Sequence, residues 1–436
     1  MTNAPPPFHD GRDWFLRARF GLFLHWGIYA IPAWQEQHIH RKGLSREQYV
    51  PLMEKFNPVG FDPDAWLDQA KAAGMRYLCF TTKHIDGFCL WDSALTDFKV
   101  TNTPYGRDTL AQLADACHRR DFPLCLYYSV VDDHQPNYPH AGRRYEFAQP
   151  PAGDEPDYEK HLDYLRGQVR ELCTQYGRIR GWWWDGNIAK WHDPSVNELI
   201  RELQPGIVIN NRGFDEGDFG TPERDWDAAA ESSLAFTSPV EACQSIGRQS
   251  WGYRENEDYY TDAHLIGSIQ KTFAKGGNYL LNVGPRADGT FPPEATEKLD
   301  RIGSWYHSVA EAFDDTVPAN DLIGDHTVLL TRRGHTLYVH LHRPPTMDAV
   351  YLHPLTELPR SAVLLNTGEP VETQVLDLPW LHNKHPDRCL CLRQLPVNET
   401  SAVGWVIKLE FDTLPDAPRA AAALEDTDAE VVGNAS

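Results

Sequence analysis

One pattern of hydrophobic and polar residues recurs along the first 318 residues: an amphipathic helical segment, a glycine, and a short apolar run. DPDAWLDQAKAAG followed by MRYLCFTT is one example, and EKHLDYLRGQVRELCTQYG followed by IRGWWWDG is another. Glycine after a helical pattern is typical of the left-handed residue that ends a helix. The apolar runs are nearly continuous, as in strands buried on both faces. The alternation therefore predicts an α/β fold with a parallel sheet.

Six segments are predicted as strands in this way, and a seventh is expected near ACQSIG. An open doubly wound sheet is the alternative, but the first predicted strand is not followed by a Gly-rich phosphate loop. Polar and aromatic residues follow the ends of several strands, and a (β/α) barrel builds its site from those ends. We therefore predict a TIM-like (β/α) barrel as a catalytic domain over residues 1–318. The helix SVNELIRELQPG is expected to begin with a capping box of Ser195 and Glu198.

The pattern changes after residue 318. HTVLLT, HTLYVHLH, AVYLH, SAVLLN and GWVIKLEF are short β-type segments separated by Gly, Pro and Asn turns. They predict a smaller C-terminal β-sandwich domain over residues 319–414. Residues 415–436 are rich in alanine and acidic residues, so a disordered tail is expected there.

Composition narrows the classes of partner. A net charge of −21 makes nucleic acid a poor partner, and no apolar run approaches the ~18 residues of a membrane span. The N-terminus has no basic segment followed by an apolar one, which favours a cytoplasmic protein. None of the eight cysteines forms a CxxC pair, so reduced structural cysteines are expected. A homo-oligomer is left open.

Asp185 is the first candidate for chemistry. It follows three tryptophans in GWWWDG, at the end of a predicted strand. Side chains alternate along a strand, so Trp183 and Asp185 point to the same side. An aromatic face beside a carboxylate suits a sugar ring whose anomeric carbon meets the carboxylate. The alternative is a helix-capping aspartate under a buried tryptophan cluster.

Two histidines lie at the same predicted end of the barrel. His25 and Trp26 end the first strand in HWG, and His84 follows the second strand in TTKHIDGF. A neutral histidine offers one donor and one acceptor, which matches a sugar hydroxyl. A zinc site is the rival interpretation, but neither HExxH nor a Cys/His spacing supports it. No metal and no cofactor are predicted.

The third and fifth strands add an aromatic hydroxyl and a cation. Tyr127 and Tyr128 end the third strand, and alternation directs at least one of them into the barrel. Arg212 ends the fifth strand in NNRG. Its guanidinium group can bind the Asp185 carboxylate or a pair of hydroxyls, with a surface salt bridge as the alternative.

A glycosidase also needs a second carboxyl group, about 5–5.5 Å from the first in a retaining enzyme. Glu223, Glu231 and Glu241 are the candidates, and the residue types alone do not choose among them. Glu223 lies in FDEGDFGTPER, whose glycines and aspartates predict a mobile loop over the barrel mouth. Glu241 precedes the expected strand near ACQSIG, in a more rigid position.

Taken together, these motifs resemble the α-L-fucosidases of glycoside hydrolase family 29. RFGLFLHWGIYAIPAW, YLCFTTKHIDGFCLWDS, LCLYYS, GWWWDG, VINNRG, SWGYR and GGNYLLNVGPRADG follow in the family's order over roughly residues 12–315. The resemblance implies a retaining exo-glycoside hydrolase that releases terminal α-L-fucose from oligosaccharides or glycoconjugates by double displacement. The implied partner is a fucosylated substrate.

The resemblance also implies residue roles. Asp185 matches the nucleophile, and Glu223, in a segment similar to the family's D-F-x-T-x-E, is the preferred acid/base. Glu241 is the alternative, because other members use a glutamate in a W-E-x-C segment, and the VEAC segment of this chain is similar to it. Substrate contacts are implied for His25, Trp26, Glu36, His84, Tyr127, Tyr128, Trp183, Arg212 and Trp251.

Two positions depart from the family pattern. Ile85 replaces the second histidine of KHHDGF, and Gln37 replaces the tryptophan after Glu36. Both positions touch sugar hydroxyls in the family. A hydrolase for another fucose-like sugar, such as an L-galactoside, is therefore one alternative, and a catalytically inactive carbohydrate-binding barrel is another.

Overall fold

A computed structural model describes residues 5–140, 151–224, 234–324, 326–377, 388–398 and 403–414. The segment 415–436, for which a tail is predicted, and the candidate Glu231 lie outside these residues. Among the described residues, no helix combines the length and apolar character needed to cross a membrane.

The larger part of the molecule is built on one curved sheet of seven strands, all parallel where they pair. The strands run in the order β5-β4-β3-β2-β1-β7-β6. They are β1 Phe20–Leu24, β2 Tyr77–Lys83, β3 Leu124–Ser129, β4 Gly181–Asp185, β5 Val208–Ile209, β6 Glu241–Ser245 and β7 Asn278–Val283. The six strands read from the apolar runs are all present, and β6 is the seventh, expected near ACQSIG.

In the described part of the chain, nine α-helices accompany these strands. They are α1 Asp13–Ala18, α2 His38–Arg41, α3 Arg46–Tyr49, α4 Pro63–Ala72, α5 Thr109–Arg119, α6 Tyr158–Gln175, α7 Pro194–Leu203, α8 Asp262–Ala274 and α9 Pro293–Val309. The longer amphipathic ones, α4 to α9, pack against the outer face of the sheet. Gly74, after α4, has a φ of +88°, as predicted for a helix-ending glycine. The expected capping box at Ser195 is wrong. Asp193 caps α7 instead, because Pro194 fills the first helical position.

An extended segment, residues 219–224, lies between β5 and β6. Phe219 pairs with Asn210 just after β5, and Glu223 pairs in parallel with Cys243 of β6. The Cys243 amide donates to the Pro222 carbonyl at 3.0 Å, and the Arg224 amide donates to the Cys243 carbonyl at 2.9 Å. The segment thus spans the gap in the sheet and completes a barrel-like ring. The composition of residues 214–224 predicts a mobile loop, and its mobility stays a prediction. The structure adds that residues 219–224 pair with neighbouring strands and that Phe219 is buried in the barrel interior.

Alternation along the strands separates two hydrophobic layers. One residue in two faces the barrel interior, where Phe23, Tyr127 and Trp183 belong to a single buried cluster. Their chain neighbours Trp182 and Trp184 face outward and pack in the larger core beneath the helices. The three consecutive tryptophans of β4 therefore serve two different layers.

The C-terminal part forms two antiparallel sheets around a core of its own. Their strands are β8 Val317–Pro318, β9 Leu329–Arg333, β10 Thr336–Leu341, β11 Val350–Leu352, β12 Ser361–Leu364, β13 Glu369–Pro370, β14 Glu372–Asp377, β15 Arg388–Arg393 and β16 Trp405–Glu410. The Trp305 indole of α9 donates to the Gly404 carbonyl at 2.7 Å and joins the two parts. The predicted class, a TIM-like barrel followed by a smaller β-sandwich, is confirmed.

Candidate active site

A cavity of about 600 Å³ opens where the carboxyl ends of the barrel strands meet. Asp185 is the last residue of β4, and His25 and His84 follow the ends of β1 and β2. The predicted site residues that line the cavity are His25, Glu36, His84, Tyr127, Trp183, Asp185, Arg212, Glu223 and Trp251.

Both carboxylate oxygens of Asp185 are held by partners. Tyr127 donates its hydroxyl to Oδ2 at 2.8 Å, and Arg212 Nη1 lies 3.3 Å from Oδ1. The side chain of Asp185 keeps 31% of its surface exposed. Its carboxylate is therefore oriented by two donors and still open to a ligand. The alternative reading of Asp185 as a helix cap is not what the structure has, because Asp193 caps α7.

Arg212 joins the two predicted carboxyl groups. Its Nη1 and Nη2 each donate to Oε2 of Glu223 at 3.1 Å, and its Nε donates to the Thr221 hydroxyl at 2.7 Å. Because Nη1 binds both carboxylates, the two oxygens lie at most about 6.4 Å apart, the sum of their distances to it. That limit includes the roughly 5–5.5 Å separation of the carboxyl groups in retaining glycosidases.

Aromatic rings form the floor beneath this charged group. The Arg212 guanidinium carbon lies 4.7 Å from the centre of the Trp183 ring, a cation–π contact. Trp183 in turn stacks on Tyr127 with ring centres 5.6 Å apart. The floor fixes Arg212 from below, so that its donors point at Asp185 and Glu223.

His25 presents a hydrogen-bond acceptor to the cavity. Burial, followed by the neighbouring His84, holds the pKa of His25 well below its ordinary value, so the ring is neutral. Its Nδ1 lies 2.7 Å from Oδ1 of Asn282, whose amide nitrogen donates to the Trp251 carbonyl at 2.7 Å. That second bond fixes the orientation of the Asn282 amide. The proton of His25 therefore lies on Nδ1, and Nε2 is left to accept from a hydroxyl.

His84 and Glu36 complete the polar wall. Burial lowers the pKa of His84, although the charges of Glu36 and Asp185 oppose the shift. Glu36 is buried, and its Oε2 accepts from the Ser250 hydroxyl at 2.9 Å and from the Trp251 amide at 2.8 Å. Glu36 therefore ties the loop after β1 to the loop that carries Trp251.

Three of the predicted site residues do not line the cavity. Trp26 is buried against Phe56 and Trp66, in the core beneath the helices. Tyr128 faces outward from β3, where its hydroxyl donates to Gln168 at 2.6 Å. The choice between the two tyrosines of β3 therefore falls on Tyr127, whose inward position follows from alternation.

Glu241 is the third predicted site residue that does not line the cavity. It is the first residue of β6 and lies inside the barrel, one layer below the cavity. Tyr77 donates its hydroxyl to Oε1 at 2.5 Å, and the Trp183 indole donates to Oε2 at 2.9 Å. Burial raises the pKa of Glu241 to about 7, although both hydrogen bonds and Arg212 oppose the shift. This carboxyl group supports the floor of the cavity from below.

Some cavity residues were not among the predicted ones. Phe23 and Cys243 lie two positions from His25 and Glu241 on the same strands, so alternation was the signal that could have found them. His40 also lines the cavity, and its Nε2 pairs with a carboxylate oxygen of Asp133. Nothing local in the sequence indicates that pair, because its members come from different loops.

A barrel whose strand ends gather two carboxyl groups on one arginine, over an aromatic floor, has the architecture of a glycoside hydrolase, and its carboxyl separation is compatible with the retaining class. The family model of α-L-fucosidases matches residues 8–311, and the chain belongs to that family. The prediction of a retaining hydrolase that releases fucose is thereby confirmed.

Individual relatives agree with this assignment over most of their length. Human tissue α-L-fucosidase is 27% identical, over 91% of this chain and 88% of its own. The structure of α-L-fucosidase isoenzyme 1 from Paenibacillus thiaminolyticus is 34% identical with a TM-score of 0.81, covering 92% of this chain and 98% of that one. A trapped covalent intermediate of a Bacteroides thetaiotaomicron α-L-fucosidase, in complex with 2-fluoro-fucosyl fluoride, is 25% identical with a TM-score of 0.78, covering 94% and 98%.

Proposed function

We propose that this chain cleaves terminal α-L-fucosides with Asp185 as the nucleophile and Glu223 as the general acid and base. The observation that carries the proposal is the shared binding of both carboxyl groups by Arg212 Nη1. The upper limit on the separation of their oxygens includes the roughly 5–5.5 Å of retaining enzymes. The inactive binding barrel is not favoured, since both carboxyl groups are present in the cavity.

In the first step, a carboxylate oxygen of Asp185 attacks the anomeric carbon of the fucoside. The bond from that carbon to the leaving oxygen breaks, and Glu223 gives its proton to that oxygen. Arg212 and the Tyr127 hydroxyl hold the attacking carboxylate, at 3.3 and 2.8 Å. The product is a fucosyl ester of Asp185 with inverted configuration.

In the second step, water enters where the leaving group was and attacks the same carbon from the opposite face. Glu223, now a carboxylate, accepts a proton from this water, and the ester bond to Asp185 breaks. Two inversions return the original configuration, so α-L-fucose is released. Arg212 stays on both carboxyl groups while the negative charge moves from one to the other.

Neutral histidines and Glu36 are proposed to hold the sugar hydroxyls. The Nε2 of His25 accepts a hydrogen bond, while a buried carboxylate oxygen of Glu36 accepts another. Trp183 and Trp251 supply the apolar faces against which the C–H groups of the ring pack.

Hydrolysis of glycosides of other fucose-like sugars is a second candidate function, and one observation favours it. Gln37 and Ile85, the two departures from the family pattern, both line the cavity. Ile85 packs with Val131 and Tyr138 in a small apolar cluster, so this wall presents no hydrogen-bonding side chain at that position. Related sugars that differ from L-fucose in one ring substituent, such as L-galactosides, are therefore substrates to test.

A panel of 4-nitrophenyl glycosides tests the function. Wild-type protein should cleave the α-L-fucoside fastest, and proton NMR of the first product should show the α anomer. Asp185→Asn is the matched control for contaminating hydrolases, because the amide keeps the shape of the side chain. A β anomer as first product, or equal activity in the control, would reject the proposal. A faster reaction with the α-L-galactoside would establish the second candidate instead.

A further inference from the structure

A separate cavity of about 530 Å³ lies at the end of the barrel opposite the catalytic cavity. Its lining residues Arg19, Arg76 and Gly276 come just before β1, β2 and β7, so this basal cavity opens at the amino ends of three neighbouring strands. Residues 313–317, which connect α9 to β8, form another wall. None of the described residues that line the basal cavity also lines the catalytic one, so the proposed hydrolysis gives this space no role.

Three arginines bring positive charge to the basal cavity. Arg17, in the last turn of α1, is exposed, whereas Arg19 and Arg76 are half-buried. Asp314 neutralises one of them, because its Oδ1 lies 2.5 Å from Arg76 Nη2. Asp315 is the second acidic residue of the described lining, and it is exposed. Three arginines against two aspartates leave the lining positive, in a chain whose net charge is −21.

The hydrogen-bonding capacity of Arg19 is largely unused within the described residues. Its guanidinium group donates there to two backbone carbonyls, from Nη1 to Gly277 and from Nη2 to Thr316, each at the long distance of 3.4 Å. A guanidinium group carries five N–H donors, so these bonds leave donors for a ligand. Burial lowers the pKa of Arg19 to about 10, and the charge of Asp314 offsets only part of that shift. The group is still a cation near neutral pH, and an anion in the cavity would stabilise it.

The sheet holds the backbone of two of these arginines in place. Arg19 has a φ of +60° and a ψ of −51°, a conformation that residues with a side chain rarely adopt. Its carbonyl accepts from the Tyr279 amide of β7 at 2.7 Å, and the Arg76 amide donates to the Phe20 carbonyl of β1 at 2.8 Å. Strained residues of this kind persist where the surrounding structure determines them, and they are frequent at ligand sites. The two backbone positions are therefore set before a ligand arrives, which lowers the entropy lost on binding.

The chemistry of the wall indicates the class of ligand. A guanidinium group binds two oxygens of a phosphate group with parallel hydrogen bonds, and a dianion can contact more than one arginine. We propose that the basal cavity is a binding site for a phosphate group, held by Arg19 together with Arg17 and Arg76. Free phosphate and small phosphate esters both carry this group, and the apolar part of the wall, Leu16 with Phe313, can contact the organic part of an ester. The inference is independent of the proposed hydrolysis.

Titration calorimetry of the full chain with inorganic phosphate, above neutral pH and at constant ionic strength, tests the site. Wild-type protein should bind phosphate at one saturable site. Arg19→Gln keeps a polar side chain but removes the charge, so its affinity should fall by about tenfold or more. The matched control is Arg107→Gln, which changes an exposed arginine outside the basal cavity and should alter the affinity less than about twofold. If Arg19→Gln does not fold, Arg17→Gln/Arg76→Gln takes its place with the same expectation.

Two further ligands define what the site recognises. Phenyl phosphate should bind more tightly than the free ion if the site takes an ester, because its ring adds an apolar contact; equal or weaker binding assigns the site to free phosphate. Acetate, a single charge, should bind about tenfold more weakly than phosphate. Absence of saturable binding by both phosphate compounds, unchanged affinity in Arg19→Gln, or equal affinity for acetate would overturn the proposal.

Turnover distinguishes the basal cavity from the catalytic one. Because Arg19 lies at the other end of the barrel, kcat/KM of Arg19→Gln for 4-nitrophenyl α-L-fucoside should differ from wild type by less than about twofold. Phosphate that binds beside Arg212 instead would inhibit competitively and would bind Arg19→Gln as tightly as wild type. That combination would place the anion in the catalytic cavity and overturn the proposal.

Discussion

Glu223 and Glu241 lie close together in the barrel, yet we propose different roles for them. Glu223 pairs through its backbone with Cys243, two residues beyond Glu241 on the same strand. The Glu223 side chain is 41% exposed and bound to a cation, whereas Glu241 is 2% exposed and bound to a tyrosine and a tryptophan. Both residues are glutamates, and they differ in how deep they lie along the barrel axis.

The difference shows how a barrel separates chemistry from support. At the strand ends a carboxyl group is open to solvent and lies against Arg212, so we propose that it exchanges protons during turnover. One layer lower, a carboxyl group can only orient the side chains above it. The contrast between the catalytic layer, Asp185 with Glu223, and the supporting layer, Glu241 with Tyr77, leads to the following tests.

The largest effect should come from the nucleophile. Asp185→Ala removes the atom that forms the covalent bond, so kcat for 4-nitrophenyl α-L-fucoside should fall by a factor on the order of 10³ or more. Thermal unfolding should show a folded variant, because Asp185 is partly exposed and its partners lie at the cavity surface. Near-wild-type turnover would remove Asp185 from the catalytic layer.

Glu223→Ala should show an effect that depends on the leaving group. Fucosides with poor leaving groups, which need a proton to depart, should slow by roughly 10²-fold or more. Fucosides with acidic phenols should be far less affected in the first step, and the alkaline limb of kcat/KM against pH should disappear. If Glu241→Ala shows this pattern and Glu223→Ala does not, the assignment of the two layers is reversed.

Glu241→Gln should change stability with pH and leave the dependence on leaving group unchanged. Burial raises the pKa of Glu241 from its ordinary value near 4.5 to about 7, so the folded state keeps a proton that the unfolded state releases. The contribution of Glu241 is therefore complete below about pH 4.5 and declines as the pH rises towards 7. Relative to wild type, the variant should gain unfolding free energy over that range, up to about 3 kcal/mol.

Urea unfolding of both proteins at several pH values between 4.5 and 7.5 measures this difference. Asp86, which is buried and whose pKa is also raised to about 7, is present in both proteins and cancels in the comparison. A constant difference across the range would mean that Glu241 does not titrate between the two states.

The smallest effect concerns the cysteines, which we propose are reduced in the working protein. All eight lie in the described residues, and all are buried and unpaired. Thiol titration of the unfolded protein without reductant should therefore count close to eight thiols. A count of four or fewer would contradict the proposal of a reducing compartment.

The sequence predicted the layers of the barrel better than the contacts between loops. The strand positions and the inward direction of Trp183 and Asp185 follow from local periodicity, which needs only a few neighbouring residues. Trp26 and Tyr128 show the limit of that reasoning. Both lie at strand ends beside a true cavity residue, and a shift of one position turns the side chain to the outer layer.

The segment 219–224 could not be predicted from composition. Its glycines and aspartates are typical of loops, but the burial of Phe219 and the backbone bonds to β6 hold it like an irregular strand. The structure of this segment depends on pairing with residues distant in the chain, and a local sequence pattern contains no information about such pairing. The separation of Glu223 from Glu241 arises in the same way, because it depends on the register between this segment and β6.

The stereochemistry of azide rescue tests the central claim most directly. With an activated aryl α-L-fucoside, Asp185→Ala should use azide in place of the lost nucleophile and give β-L-fucosyl azide. Glu223→Ala still forms the ester on Asp185, so azide should attack from the other face and give α-L-fucosyl azide. Proton NMR distinguishes the two products. An α azide from Asp185→Ala, or an α azide from Glu241→Ala but none from Glu223→Ala, would contradict the assignment of nucleophile and acid/base.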